Sequence, residues 1–376
     1  MAWRLATFLA VLLAVLAGAS SYMALRSMAL WPALGRYAGW VWGFFGLFAL
    51  LLVLTPVLQR VPGLGLHVTP LIWAAYILFS LVSTYFVYLL LADAGQALLR
   101  LGGWRVGPWA VWCALALTLF GCAWGFITAE RPVGLRRVEV PVADLPEGLE
   151  GFRIIQISDL HLGPMVRRAQ VDHLVTLSNG AAPDLIAITG DLVDAEADGV
   201  RPLVERMQAL QARHGVCFVT GNHEYYSGAD RWLEIIRTMG WHVLDNRHEL
   251  VQHQGASLAV AGMPDPTARA TPGAGPDLSR ALAGIPPGVP RVLLYHPPTG
   301  TQAAARAGVS LQLSGHTHGG QYFPWSLVVS ALFDHPKGLG REGGMWIYTS
   351  PGTGFWGPPN RLLVPPELTL IVLRKA

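Results

Sequence analysis

The sequence predicts a chain in two parts: an N-terminal multi-pass transmembrane α-helical region and, after it, an α/β domain. Three observations carry that expectation. Four long apolar stretches crowd into the first 130 residues. Charged residues are sparse there and abundant afterwards. From about residue 150, strand-length apolar runs alternate with helix-patterned segments.

The apolar stretches are residues 5–25, 37–58, 70–92 and 107–128, and none carries a charge. Each can cross roughly 30 Å of hydrocarbon as a helix. Arg4 precedes the first stretch, as in a signal peptide, but its length and the three stretches after it favour a membrane helix. Nine of the fourteen tryptophans fall in this part. Trp31, Trp40, Trp104, Trp109 and Trp124 sit near expected helix ends, where amphipathic rings favour the interface. The organisation expected is therefore a membrane domain over 1–130 with about four helices, a linker over 131–149 and a second domain over 150–376.

Through Glu130 there are six basic residues (Arg4, Arg26, Arg36, Arg60, Arg100, Arg105) and two acidic ones (Asp93, Glu130), leaving 21 of the 27 basic and 22 of the 24 acidic residues beyond. The net +3 thus resides in the membrane part, and a near-neutral second domain argues against a nucleic-acid partner. Four crossings put the N-terminus and the second domain on one side, with Arg4, Arg60, Arg131, Arg136 and Arg137. The other side holds Arg26, Arg36, Arg100 and Arg105, so the count leans five to four toward a cytoplasmic second domain on a cell membrane. With Asp93 only at an expected helix end, the membrane part reads as an anchor rather than a transport path. Cys113, Cys122 and Cys217 have no disulfide or zinc-ribbon spacing and read as small apolar fillers.

In the second domain, strands are expected over 152–158, 184–189, 216–220, 258–262, 291–295, 309–314, 345–349 and 368–373. Helical patterns fall over 167–177, 199–213 and 229–239. The loops 264–275 and 351–366 are rich in Gly and Pro.

Ligands of α/β domains gather beyond the carboxyl ends of strands. Five of these strands run straight into metal-ligand residue types: Asp159-Leu160-His161, Gly190-Asp191, Gly221-Asn222-His223-Glu224, His296, and Gly315-His316-Thr317-His318. In Asp-x-His and His-x-His, alternate residues share a face, so both side chains converge on one ion or on two neighbouring ions. Two ions about 4 Å apart need a bridging carboxylate, which Asp191 can supply beside Gly190. Asn222 adds a neutral oxygen, and the imidazole–oxygen mixture suits Mn, Fe or Zn better than Ca or Mg.

This order of motifs resembles the calcineurin-like metallophosphoesterases over about residues 150–376, with all five blocks present. The resemblance implies a β-sandwich flanked by helices that hydrolyses a phosphate ester by attack of a hydroxide held between two divalent ions. It implies Asp159, His161 and His318 at the first ion, Asp191 as bridge, and Asn222, His296 and His316 at the second. It implies that His223 is the catalytic histidine, stabilising the phosphoryl group or protonating the leaving oxygen. Asp194 and Glu224 are candidates to orient ligands from outside, with a plain structural role the alternative. The ending 315–321, Gly-His-Thr-His-Gly-Gly-Gln, resembles the membrane-linked bacterial branch, some of whose relatives cleave the pyrophosphate of a lipid A precursor. The other histidines (His67, His173, His214, His242, His248, His253, His335) match nothing in the pattern.

One departure narrows the substrate. Protein phosphatases of this superfamily carry Arg-Gly after the second block, whereas here Asp194-Ala195-Glu196 follows. Without that arginine to grip a phosphoryl group, a phosphodiester or pyrophosphate is expected. The apolar residues Tyr322, Phe323, Trp325, Leu327, Val328, Leu332, Phe333, Phe355 and Trp356 either admit an acyl chain near the site or pack beneath the last strands. A lipid is therefore among the expected substrates. A metal-binding scaffold or sensor without catalysis is the alternative function, and a transporter with a regulatory second domain is disfavoured.

Overall fold

The computed structural model describes residues 2–59, 68–103, 109–271 and 273–376. The chain divides into two compact units, Met1–Phe126 and Ile127–Ala376. Trp104, Arg60, Arg105, His67 and the expected helix start at 107–108 lie outside the described residues.

The helices of the membrane part are α1 (Ala2–Leu30), α2 (Ala38–Gln59), α3 (Thr69–Leu101) and α4 (Trp109–Glu130). All four are long and apolar enough to cross a membrane. Met23, Phe45, Phe48, Val82, Leu89 and Val111 form the core between them. Two helices outrun the expected spans, because apolar patterning resumes after each charge. Arg26 and Asp93, expected outside the spans, consequently lie within α1 and α3. They are paired: Arg26 Nε stands 2.7 Å from both oxygens of Asp93, the Tyr22 hydroxyl donates to Asp93 at 2.8 Å, and an Arg26 Nη2 donates to Gln96 at 2.7 Å. A charge inside a helix bundle is tolerated when it is neutralised in this way.

The second unit contains twelve strands: β1 (Gly134–Val142), β2 (Arg153–Ile157), β3 (Leu185–Thr189), β4 (Val216–Val219), β5 (His242–Val243), β6 (Arg247–His253), β7 (Ala256–Gly262), β8 (Arg291–Leu294), β9 (Leu311–Ser314), β10 (Gly338–Glu342), β11 (Met345–Thr349) and β12 (Glu367–Lys375). Its helices are α5 (Arg168–Gly180), α6 (Ala197–Arg206), α7 (Asn222–Tyr226), α8 (Ala229–Thr238), α9 (Leu278–Leu282), α10 (Thr301–Arg306) and α11 (Trp325–Leu332). The strands form two six-stranded sheets, in the orders β1-β12-β2-β3-β4-β5 and β10-β11-β9-β8-β7-β6.

Strand alternation sorts the side chains into layers. Ile154, Leu185, Cys217 and Val219 of the first sheet meet Leu258, Val260, Val292 and Leu313 of the second in the core between the sheets. Ile155, Ile157, Ile186 and Ile188 point the other way, against Val171 and Leu174 of α5, Val200 and Val204 of α6, and Ile235 of α8. On the far side of the second sheet, Met263, Leu293 and Tyr295 pack with Ala281 and Ala304 from α9 and α10. This is the helix-flanked β-sandwich expected.

All eight expected strands are present, and four further ones appear: β1, β5, β6 and β10. Residues 131–149 are not merely a linker, since β1 pairs in parallel with β12 along its whole length. Its alternating Val138, Val140 and Val142 face the sandwich core, while Arg136 and Arg137 are exposed. The helix expected over 199–213 ends at Arg206 and gives way to a 3-10 turn, with Pro202 inside it. Of the late apolar residues, Tyr322 and Phe355 are buried, whereas Leu327, Val328, Leu332 and Trp356 are exposed.

A fragment beginning at residue 150 leaves an edge of β12 unpaired and should aggregate on size-exclusion chromatography. One beginning at residue 131 retains β1 and should elute as a discrete species.

Candidate metal centre

Parallel pairing of β2, β3 and β4 in one sheet, and of β8 and β9 in the other, brings five carboxyl-terminal strand ends together. Asp159 and His161 follow β2, Asp191 follows β3, Asn222 opens α7 after β4, His296 follows β8, and His316 and His318 follow β9. Beneath them Gln156, fully buried, donates to Thr189 Oγ1 and to the Ser314 carbonyl, both at 2.9 Å, tying one sheet to the other.

The chain turns sharply to aim these side chains. Asp159, His161, Asp191, His316 and His318 all adopt left-handed backbone conformations, with φ of 53°, 50°, 50°, 70° and 49°. Such a conformation costs a non-glycine residue roughly 1–2 kcal/mol, and clustering of this kind marks functional sites. Two glycines permit the close approach. A Cβ on Gly221 would lie 2.1 Å from Asp191 Oδ1, and one on Gly315 would lie 2.1 Å from Asp159 Oδ2.

Among the described residues two of three groups of candidate ligand atoms carry the motif residues: Asp159, His161 and His318 form the first and Asp191, His296 and His316 the second, while His161 also meets Asp194 and His223 in the third. In the first, His161 Nε2 and His318 Nε2 are 3.0 Å apart, and His318 Nε2 is 3.4 Å from Asp159 Oδ1. In the second, His316 Nδ1 is 3.0 Å from Asn222 Oδ1 and 3.3 Å from His296 Nε2. Asp191 Oδ2 faces both, 3.1 Å from His296 Nε2 and 3.8 Å from His161 Nε2. His296 donates through Nδ1 to the Thr189 carbonyl at 2.8 Å, which turns its Nε2 toward Asp191 and the site. None of the described unmatched histidines belongs to these groups.

The electrostatics suit cations. Burial keeps His161 neutral, lowering it to about 3, and likewise lowers His316 to about 4 and His318 well below its usual range. Burial also raises Asp159 to about 6. Burial would raise Asp191 as well, but His296 beside it holds it low, and Asp191 in turn lifts His296 to about 10 against the effect of burial. Three neutral imidazoles, a His296 whose proton an ion would displace, and buried carboxylates converge within ligand distance, a donor set that fits divalent ions.

His223 stands beside the ligand groups. Its backbone N–H donates to Asp191 Oδ1 at 2.8 Å, and its Nδ1 is 2.7 Å from Asp194 Oδ1. Burial lowers the imidazole, yet Asp194 and Asp191 raise it above its ordinary value. Asp194 therefore orients His223. Glu224 touches backbone rather than a histidine, accepting N–H groups from Gly221 at 2.6 Å, Leu192 at 2.8 Å, Asp191 at 3.0 Å and Val193 at 3.2 Å. It fixes the turn that carries Asp191.

Arg361, fully buried, escaped the motif reading. It donates to the Pro351 carbonyl at 2.6 Å, to the Gly354 carbonyl and to His318 Nδ1 at 3.0 Å. Burial drops its guanidinium to about 9. The only sequence signal for it was an arginine in a Gly/Pro-rich loop. Gln321, Tyr226 and Trp356 also border the site, as described below.

Asp194→Asn removes one of the carboxylates that raise His223 while leaving Asp191, which raises it, and the burial that lowers it. The His223 imidazole pKa should fall relative to the wild type in an NMR titration of its ring protons. Glu224→Gln points an amide donor at N–H donors and should destabilise the unit by about 1–3 kcal/mol in denaturant unfolding.

Comparison with known proteins agrees with this geometry. The calcineurin-like phosphoesterase family matches residues 152–320. A zebrafish (Danio rerio) transmembrane protein with metallophosphoesterase domain is 37% identical over 70% of this chain and 62% of its own length. The bovine (Bos taurus) protein of the same description is also 37% identical, over 67% of this chain and 60% of its own. The match thus spans about three fifths of these two relatives. An uncharacterized metallophosphoesterase of Helicobacter pylori J99 is 33% identical, with 68% of each chain covered. The buried cluster of Asp, Asn and His at the strand ends and these likenesses agree, and the chain belongs to the calcineurin-like metallophosphoesterases.

Proposed function

We propose that the second unit hydrolyses phosphodiester or pyrophosphate bonds at a centre of two divalent ions, Mn, Fe or Zn, with lipid-linked esters among its substrates. The observation that carries this reading is Asp191, whose Oδ2 faces both ligand groups. Asp159, His161 and His318 would hold one ion, Asn222, His296 and His316 the other, and Asp191 both. Bound there, two ions supply Lewis-acid stabilisation of phosphoryl charge and lower the pKa of water.

The chain's own residues do the rest. Asp194 fixes His223 through Nδ1, so Nε2 is the nitrogen left to reach a leaving oxygen. Asp194 and Asp191 raise the pKa of His223, which favours the protonated form that would deliver a proton as the P–O bond breaks. Glu224 holds the Asp191 turn, and Arg361, 3.0 Å from His318 Nδ1, packs beside that ring. The absence of Arg-Gly after Asp194 supports a diester or pyrophosphate over a phosphoprotein. The four apolar helices support multi-pass anchoring in the cell membrane.

Chelation should abolish hydrolysis of bis(p-nitrophenyl) phosphate, and reloading should restore it with two ions per chain by elemental analysis. His223→Ala should lower kcat by about 10²–10⁴ with metal content retained. Asp191→Asn should lower metal content itself. Two bound ions without turnover on a broad phosphoester panel would instead support a scaffold or sensor.

A further inference from the structure

Two aromatic side chains flank His223. Tyr226, one helical turn along α7, has its ring centroid 5.3 Å from the imidazole, and Trp356, from the loop before β12, has its centroid 5.7 Å away. The rings stand at 68° and 71° to the imidazole plane. His223 is only 8% exposed, whereas Tyr226 is 54% and Trp356 50% exposed. Half of each aromatic surface is therefore left for something else to touch.

The position of Trp356 is built. The Gln321 side chain, buried at the end of the extended metal loop, donates to the Trp356 carbonyl at 2.9 Å and the Pro358 carbonyl at 2.8 Å, and accepts the Trp356 N–H at 2.8 Å. One buried amide thus uses both its functions to latch the aromatic loop onto the loop that carries His316 and His318. Single exposed aromatics are ordinary. A local and a distant one, both against one histidine and the distant one held by a dedicated latch, form a site.

We propose that Tyr226 and Trp356 are a rim that selects phosphate esters whose leaving group carries a planar ring, with Gln321 as the positioning residue. The inference rests on the reading of His223 as the proton donor. In hydrolysis, water's oxygen bonds to phosphorus and gives up one proton to solvent, the P–O bond to the leaving group breaks, the leaving oxygen takes the proton of His223, and solvent reprotonates His223. The leaving group therefore passes His223, and its substituent meets the rim. Exposed π faces stack on flat rings and gain far less from a flexible chain.

The test compares two methyl phosphodiesters with leaving groups of matched acidity, one 1-naphthyl and one fluoroalkyl, on the metal-loaded full chain. The naphthyl ester should be preferred in kcat/KM by about tenfold. Trp356→Ala should erase that ratio, with the loss on the naphthyl ester carried by KM. Gln321→Ala should do the same although Trp356 remains, and Trp356→Phe should keep most of the preference. As product inhibitors, 1-naphthol and adenosine separate the sources of the ring: inhibition by both assigns a nucleoside, and inhibition by naphthol alone assigns another aryl group. A wild-type ratio near one, a ratio unmoved by Trp356→Ala, or stronger turnover of an octyl ester than of the naphthyl one overturns the rim. Loss of hydrolysis of every ester by the wild type would overturn the catalytic reading instead.

Discussion

The site depends on one buried carboxylate. Asp191 sits between two sets of imidazoles, with Oδ2 toward His296 and His161 and Oδ1 taking the N–H of His223. An anion at 2% exposure survives only if its surroundings answer its charge. Here the His296 imidazole 3.1 Å away does so, and the strand ends are drawn together around that balance. Glu224 adds the mechanical part, collecting four backbone N–H groups so that the turn bearing Asp191 has one shape.

Backbone strain is concentrated where this charge is. Five of the seven candidate ligands have positive φ, and the interior beneath them is correspondingly stiff. Gln156 cross-links the sheets directly below, and the glycines at 221 and 315 allow backbone to pass within contact of carboxylate oxygens. A rigid floor and a strained rim are complementary: packing at native density holds side chains where local propensity would not.

What the sequence makes legible follows from burial. Strands covered on both faces read as apolar runs, and all eight of those found by pattern are interior to their sheets. The four that escaped, β1, β5, β6 and β10, are the four edges, where polar side chains protect an exposed ladder and blur the period. The candidate ligands were legible because each directly follows such a run. Arg361 was not, because it acts on backbone carbonyls and on His318 from a loop that carries no period, and Gln321 was legible only as the end of a motif, not as the latch of the Trp356 loop. Arg26 and Asp93 were misplaced for a related reason: hydropathy cannot show that two opposite charges neutralise each other across helices.

The placement of β12 between β1 and β2 has a consequence for biogenesis. Strand β1 is synthesised soon after the fourth membrane helix, yet its partner follows more than two hundred residues later. Helices close their contacts locally and early, whereas this sheet must wait for a long-range pairing. A ribosome docked at the membrane would therefore carry a lengthening, half-paired sandwich with an open edge through most of translation. That interval, rather than the finished molecule, is when the protein most needs protection from aggregation.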